Sequence, residues 1–265
     1  MSIKRHLRII FILLKMKLSK SMVFRFSFFG VSMVDGSLFL MQLLMFTSIY
    51  SKVETIGNWN RSQMILFIGT FTIIDALNMA VFFFGLITIP SKIKSGELDL
   101  YITKPVNTLF HLTFESMDPG SVPMVLAGIG LLYYGVSGMG IYVTPLMIIG
   151  YIFLVVLMLI LYYDMALIIR TIPFFVIQAT SLERLEGEFI VLCMKIPGTL
   201  FKGAFKVLFY LVLPYGIMAT VPTQFFSKTL TPAGFCYSIA IVAVFTVFAL
   251  RFWKFGLKNY KSASS

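Results

Sequence analysis

The chain has 265 residues, 58% hydrophobic and 12% charged, with a formal net charge of +11. A soluble domain of this length carries roughly twice that charge, and no polar stretch long enough to enclose an aqueous-phase core remains, so a soluble fold is excluded. Two cysteines and two histidines supply neither a disulfide framework nor a metal-ligand cluster, and the positive charge lies outside the apolar blocks, where it speaks of membrane topology and not of nucleic acid.

Residues 1–25 carry Lys4, Arg5, Arg8, Lys15, Lys17, Lys20 and Arg25 around Ile3, Leu7, Ile10, Leu14 and Leu18. The apolar positions recur at steps of four and three, which predicts a basic amphipathic helix lying on the lipid surface. No small-residue cleavage site follows a short apolar run, so no removable signal peptide is expected. A helix needs about 20 apolar residues to cross the hydrocarbon. Such stretches run over 26–50, 64–89, 122–142, 143–169, 201–221 and 232–252. The expected fold is therefore all-α, a polytopic helical bundle of about six spans over 26–253. A basic, Ser-rich tail, 254–265, follows it. Glycines in the third stretch permit close helix approach, and the near-absence of a connection to the fourth predicts a tight hairpin. Residues 170–200 hold Arg170, Glu183, Arg184, Glu186, Glu188 and Lys195 and read as too charged to span. The fifth stretch is interrupted by Pro214 and Pro222, which fits either a kinked helix or a re-entrant excursion.

With the N-terminus inside, 19 of the 22 Lys and Arg fall on the inner side, and only Lys52, Arg61 and Lys228 fall outside. That excess predicts cytoplasmic termini. Trp59 and Trp253 fall near span ends, where an amphipathic ring is at home.

The polar connection 91–119 then lies inside. Its core, Gly96-Glu97-Leu98-Asp99, is followed by Thr103-Lys104-Pro105-Val106-Asn107. A short helix is expected over 97–103, with Leu98, Tyr101 and Ile102 on one side and Glu97 and Asp99 on the other, stopped by Pro105. A projecting amphipathic helix suits a groove on a soluble partner, and its paired acids disfavour an anionic lipid surface.

The segment SGELDLYITKPVN, with Phe110 and the acidic turn from Phe114 to Pro119, resembles the loop between the second and third spans of ABC-2-type permease subunits of bacterial ABC exporters. Prolines 197, 214 and 222 also resemble that family's fifth-span region. The departure is Tyr101-Ile102-Thr103, where the family commonly has leucines. The resemblance implies that Glu97, Leu98, Asp99, Tyr101, Ile102, Lys104 and Pro105 couple the chain to a separate cytoplasmic ATPase subunit. It also implies pairing with a second permease copy or a sister subunit in the lipid of a bacterial plasma membrane. ATP and Mg would be held by the ATPase, no cofactor by this chain, and the chain would not be an enzyme. The absence of G-x-x-x-x-G-K-[S/T] agrees, because nothing here cradles nucleotide phosphates.

Asp35 and Asp75 fall within the first two apolar stretches and are candidates for the translocation path; the structural alternative is a hydrogen bond to Ser37 or Asn78. Asp164 is expected to pair with Arg170. An intramembrane charge costs roughly 2.5–3.5 kcal/mol on insertion scales, so each must find a partner or a cavity. His6 reads as solvated and His111 as a packing residue, and no nucleophile–base arrangement can be assembled from them. The function expected is the permease subunit of an ATP-driven exporter of an amphipathic compound, drug or peptide. The competing reading is a proton-coupled secondary transporter using Asp35 and Asp75.

Overall fold

A computed structural model describes residues 25–176 and 180–260, together with Ile12 and Lys15. The remainder of the expected surface helix over 1–25, and residues 261–265 of the tail, lie outside the described residues. The described chain is a helical membrane bundle.

Helix α1 spans Arg25–Tyr50. A two-residue antiparallel hairpin, β1 (Thr55–Ile56) and β2 (Trp59–Asn60), follows it. Helix α2, Arg61–Ser95, begins at a capping box in which Asn60 and Gln63 each accept the other's backbone N–H, satisfying two orphan donors. Two short helices, α3 (Asp99–Ile102) and α4 (Thr108–Phe114), lead into α5, Pro119–Met139. Helices α6 (Pro145–Phe174) and α10 (Pro232–Asn259) both open on a Thr-Pro pair. In each the threonine hydroxyl caps the first turn, and proline sits where its missing N–H costs nothing. Helices α2, α5, α6 and α10 are each long and apolar enough to cross a membrane, and α1 is apolar over Phe39–Tyr50. The last helix continues to Asn259, seven residues beyond the apolar stretch, because nothing in its basic end breaks it.

Helices α2 and α5 form the closest seam in the bundle. A Cβ at Gly128 would meet the Gly69 carbonyl at 3.0 Å, and one at Gly135 would meet the Leu66 amide at 3.0 Å, so these backbones approach as only small residues allow.

Two corrections concern the later half of the chain. Helix α7, Thr180–Lys195, runs from one end of the bundle toward the other despite its charges. In its first half Glu186 meets Arg170 near the end of α6. Further on, the Met194 carbonyl accepts from Gln42 Nε2 of α1 at 3.0 Å. Just beyond, Leu200 packs against Gly57 of the β1–β2 turn. The charges are tolerated because Glu186 is neutralised inside the bundle, and Arg184, Glu188 and Lys195 are exposed together on one side of the helix. The expected fifth span is instead a bent pair, α8 (Gly203–Val212) and α9 (Tyr215–Phe226), set at 79°. It leaves beside the β1–β2 turn and returns to the same end, where Phe225 packs on Gly150, near the start of α6. It is re-entrant, not spanning. Lys195, Lys202 and Lys206 therefore move to the hairpin end. This changes the sequence count from 19 against three to 16 against six without altering its sign.

The two tryptophans are buried rather than set in a surface ring. Trp59 packs edge-on against Phe67 at 5.5 Å and Trp253 against Phe174 at 5.5 Å.

Candidate functional site

The connection after α2 is built by one left-handed residue. Gly96, at φ 77°, ends the helix as glycine does at such caps, and turns Leu98 back so that its N–H reaches the Lys92 carbonyl at 3.2 Å. Leu98 is 0% exposed, in a cluster with Ile89, Ile93, Leu112, Leu167 and Trp253. Burying a leucine in this way contributes about 1.5–3 kcal/mol, so Leu98 anchors the turn to α6 and α10.

The apolar side expected for Leu98, Tyr101 and Ile102 divides. Leu98 turns inward and Tyr101 is half-buried, while Ile102 (45% exposed) and Leu100 (64%) point out beside exposed Glu97, Lys104 and Pro105. Helix α3 has four residues, too few for a continuous stripe, so the residue before it and those within it answer to different neighbours. Leu100 was missed for that reason. Glu97 and Asp99 also part: Asp99 lies beside the Tyr260 phenol at the end of α10, whose pKa is raised by burial first and then by this carboxylate.

Polar contacts clamp the inner side of the connection. Tyr101 lies between the ammonium groups of Lys92 and Lys104, 4.4 and 4.7 Å from the ring centre. Lys92 is ion-paired with Glu115, and the His111 ring lies 5.1 Å from that of Tyr101. Burial lowers the His111 pKa, and Lys104 and Lys92 lower it further, which agrees with a packing role. Asn107 caps α4 through the Phe110 N–H at 3.1 Å.

The same connection grips α2 itself. A Cβ at Gly85 would collide with the carbonyls of Leu112 and Thr113, so α4 lies directly on the backbone of α2. Thr113 shares a hydrogen bond with Tyr163 at 3.0 Å. Helix α2 widens to a π-helix over Met79–Phe83, and the Ala80 carbonyl accepts from the Asp118 N–H at 3.0 Å. A π turn holds one extra residue and offers such carbonyls to outside donors.

Within the bundle, Tyr162 donates to Asp75 Oδ1 at 3.1 Å. Asp35 lies in α1, but its side chain is outside the described residues. Asp164 accepts from Thr246 of α10 instead of pairing with Arg170. The two are six residues apart, about 120° round α6 and about 9 Å along it, and Arg170 turns to Glu186. The Glu186 carboxylate is filled on both oxygens, by Arg170 and by the Tyr215 hydroxyl at 3.0 Å.

Helix α7 adds a feature that the linear reading passed over. Ser181, Arg184, Gly187 and Glu188 are exposed on one side of it. Their three-to-four spacing is present in the sequence, but the charge of the segment conceals a crossing helix from a hydropathy reading. Along a helix that runs between the ends of a membrane bundle, an exposed charged side requires water or a partner. Among the described residues no group of His, Cys, Asp or Glu could hold a metal ion.

A family model described as ABC-2 family transporter protein matches residues 37–264. No curated protein and no solved structure matches the chain.

Proposed function

The chain belongs to the ABC-2 family of transporter proteins, and from that premise we propose that it is the membrane half of an exporter of amphipathic cargo, driven by a separate ATPase subunit on the loop side. Membership makes it a permease component of an ABC transporter. ATP hydrolysis on the partner supplies the free energy.

The observation that carries the reading is the two-sided connection 91–119. Its inner side is clamped to α2, α6 and α10, while Leu100 and Ile102 stand exposed at its tip beside Glu97. An exposed apolar knob on a braced base suits a groove on a soluble partner. Force applied there passes into three spanning helices at once. The partner must bind the two membrane states with different affinity for that force to shift their populations. The excess of Lys and Arg at the loop end supports a cytoplasmic location for it. A second permease, copy or sister, completes the path, and the exposed charged side of α7 is the best-supported lining. Asp75 stays a candidate acting through its bond to Tyr162, and Asp35 a candidate from its place in α1.

The test is the double substitution Leu100→Glu with Ile102→Glu. Interface anchors of this kind are worth about 2 kcal/mol or more, so ATPase recovered with the tagged chain should fall about 30-fold while membrane insertion is unchanged. Wild-type recovery of the ATPase would refute the coupling role.

A further inference from the structure

A cavity of about 430 Å³ opens sideways between α6, α7 and α10. Met165 and Ile169 form one wall, Leu185 and Phe189 a second, Val244 and Phe248 a third. Leu213 and Tyr215, at the turn of the re-entrant pair, also line it. The acid in the wall is Glu186, and both of its oxygens are taken by Arg170 and Tyr215. The Tyr215 hydroxyl is committed to Glu186 and the rest of the lining is apolar, so the space suits hydrocarbon. Its width fits a drug-sized apolar body or a chain, and its depth from Ile172 to Met165 along α6 is about 10 Å.

What lies above the mouth sets the headgroup. One turn beyond Phe248, on the same side of α10, is Arg251, and Lys254 and Lys258 follow in the last turns. All three are exposed, and none is ion-paired among the described residues. Twenty residues of α10 cover the hydrocarbon, which puts these cations at the headgroup level of the loop-side leaflet. Phe252 and Phe255 stack on Phe175 at 5.5 and 5.4 Å beside them. On α7, Glu183 and Arg184 are neighbours in the chain and cancel in net charge, and neither lines the cavity. The lining residues of α7, Leu182, Leu185 and Phe189, lie about 100° round the helix from exposed Ser181, Arg184 and Glu188. The cavity is thus separate from the charged side assigned to the path.

We propose that this cavity is a binding site for an anionic phospholipid of the loop-side leaflet, with one acyl chain between α6, α7 and α10 and its phosphate at Arg251 and Lys254. The chain end lies against Leu213 and Tyr215, so an occupied site braces the turn of the re-entrant pair. The occupant is a membrane lipid and not cargo, because the walls are apolar and the α7 lining, Leu182, Leu185 and Phe189, is turned away from the charged side of that helix.

The full chain, purified in detergent, is titrated with dioleoyl phosphatidylglycerol and with dioleoyl phosphatidylcholine, and bound lipid is read by native mass spectrometry. Each surface cation contributes about a fivefold preference for an anionic headgroup. The phosphatidylglycerol should bind at least fivefold tighter, and Arg251→Gln should remove about fivefold of that preference while leaving phosphatidylcholine unchanged. Val244 is 63% exposed at the cavity wall. Val244→Trp fills the space and should abolish retention of the lipid, with a thermal melt confirming the fold. Equal binding of the two lipids, or wild-type retention in the Val244→Trp variant, overturns the proposal. So does displacement by inorganic phosphate alone, which would mean a headgroup site with no chain in the cavity. None of these outcomes depends on the ATPase partner.

Discussion

Arg170 and Glu186 meet inside the bundle, both nearly inaccessible, with Tyr215 closing the second carboxylate oxygen. Removing one member of such a pair leaves a buried charge uncompensated, whereas replacing both with apolar groups of similar size is close to neutral. Arg170→Met should therefore destabilise the chain by about 3–5 kcal/mol, and Arg170→Met with Glu186→Met should recover most of that loss. Thermal unfolding in detergent measures both. If the single variant melts with wild type, the pair does not hold α7 to α6. The identity of these residues was legible in the sequence, but their partnership was not. Arg170 was matched to Asp164, its near neighbour in the chain, because closeness along the chain is all a linear reading can weigh. Six residues of helix set those two side chains about 120° and about 9 Å apart, and each finds its partner on a different helix.

At the scale of an element, the π turn in α2 links the spanning helix to its connection. Its extra residue exposes the Ala80 carbonyl, which takes the Asp118 N–H, and about one turn on, Gly85 admits α4 against the backbone. Deleting Val81 removes one residue, so the turn closes to α geometry while the helix faces on either side keep their register. The Ala80 carbonyl is then taken within the helix, and Asp118 loses a bond worth about 0.5–1.5 kcal/mol. Hydrogen exchange at the Asp118 amide should accelerate by up to about tenfold, with the contacts of Gly85 retained. Unchanged exchange would show that the bond is incidental to the π turn. The apolar runs placed the starts of α2, α5, α6 and α10 within three residues, while α2 and α10 continue six and seven residues past the expected ends, into polar sequence. The runs gave no sign of the π turn, because one extra residue leaves an all-apolar stretch looking the same.

For the whole molecule, the decisive element is α7. Leu200 against Gly57, and Phe225 against Gly150, put both limbs of the re-entrant pair at the hairpin end. With α7 and not the 201–221 stretch as the fifth crossing, the start of α1 and the end of α10 still share a side, and Lys202 and Lys104 belong to opposite ends of the bundle. Cysteines introduced singly at these positions, with Cys193 and Cys236 replaced by alanine, test this in intact cells. A membrane-impermeant maleimide should label position 202 directly and position 104 only after permeabilisation. Labelling of both from one side would invalidate the topology.

The apolar blocks, the excess of Lys and Arg on one side and the Gly-Glu-Leu-Asp connection were all present in the linear order of residues. They determined a helical membrane bundle, and they singled out the stretch by which it resembles its family. Only the tertiary structure decided that a charged segment crosses and an apolar one turns back. It alone decided that Leu98 faces in while Leu100 faces out. The reason is that burial is a property of neighbours. A carboxylate can lie among spanning helices when a guanidinium from another helix meets it. An apolar run need not cross when proline breaks it at Pro214 and the next residue, Tyr215, is held by a carboxylate of another helix.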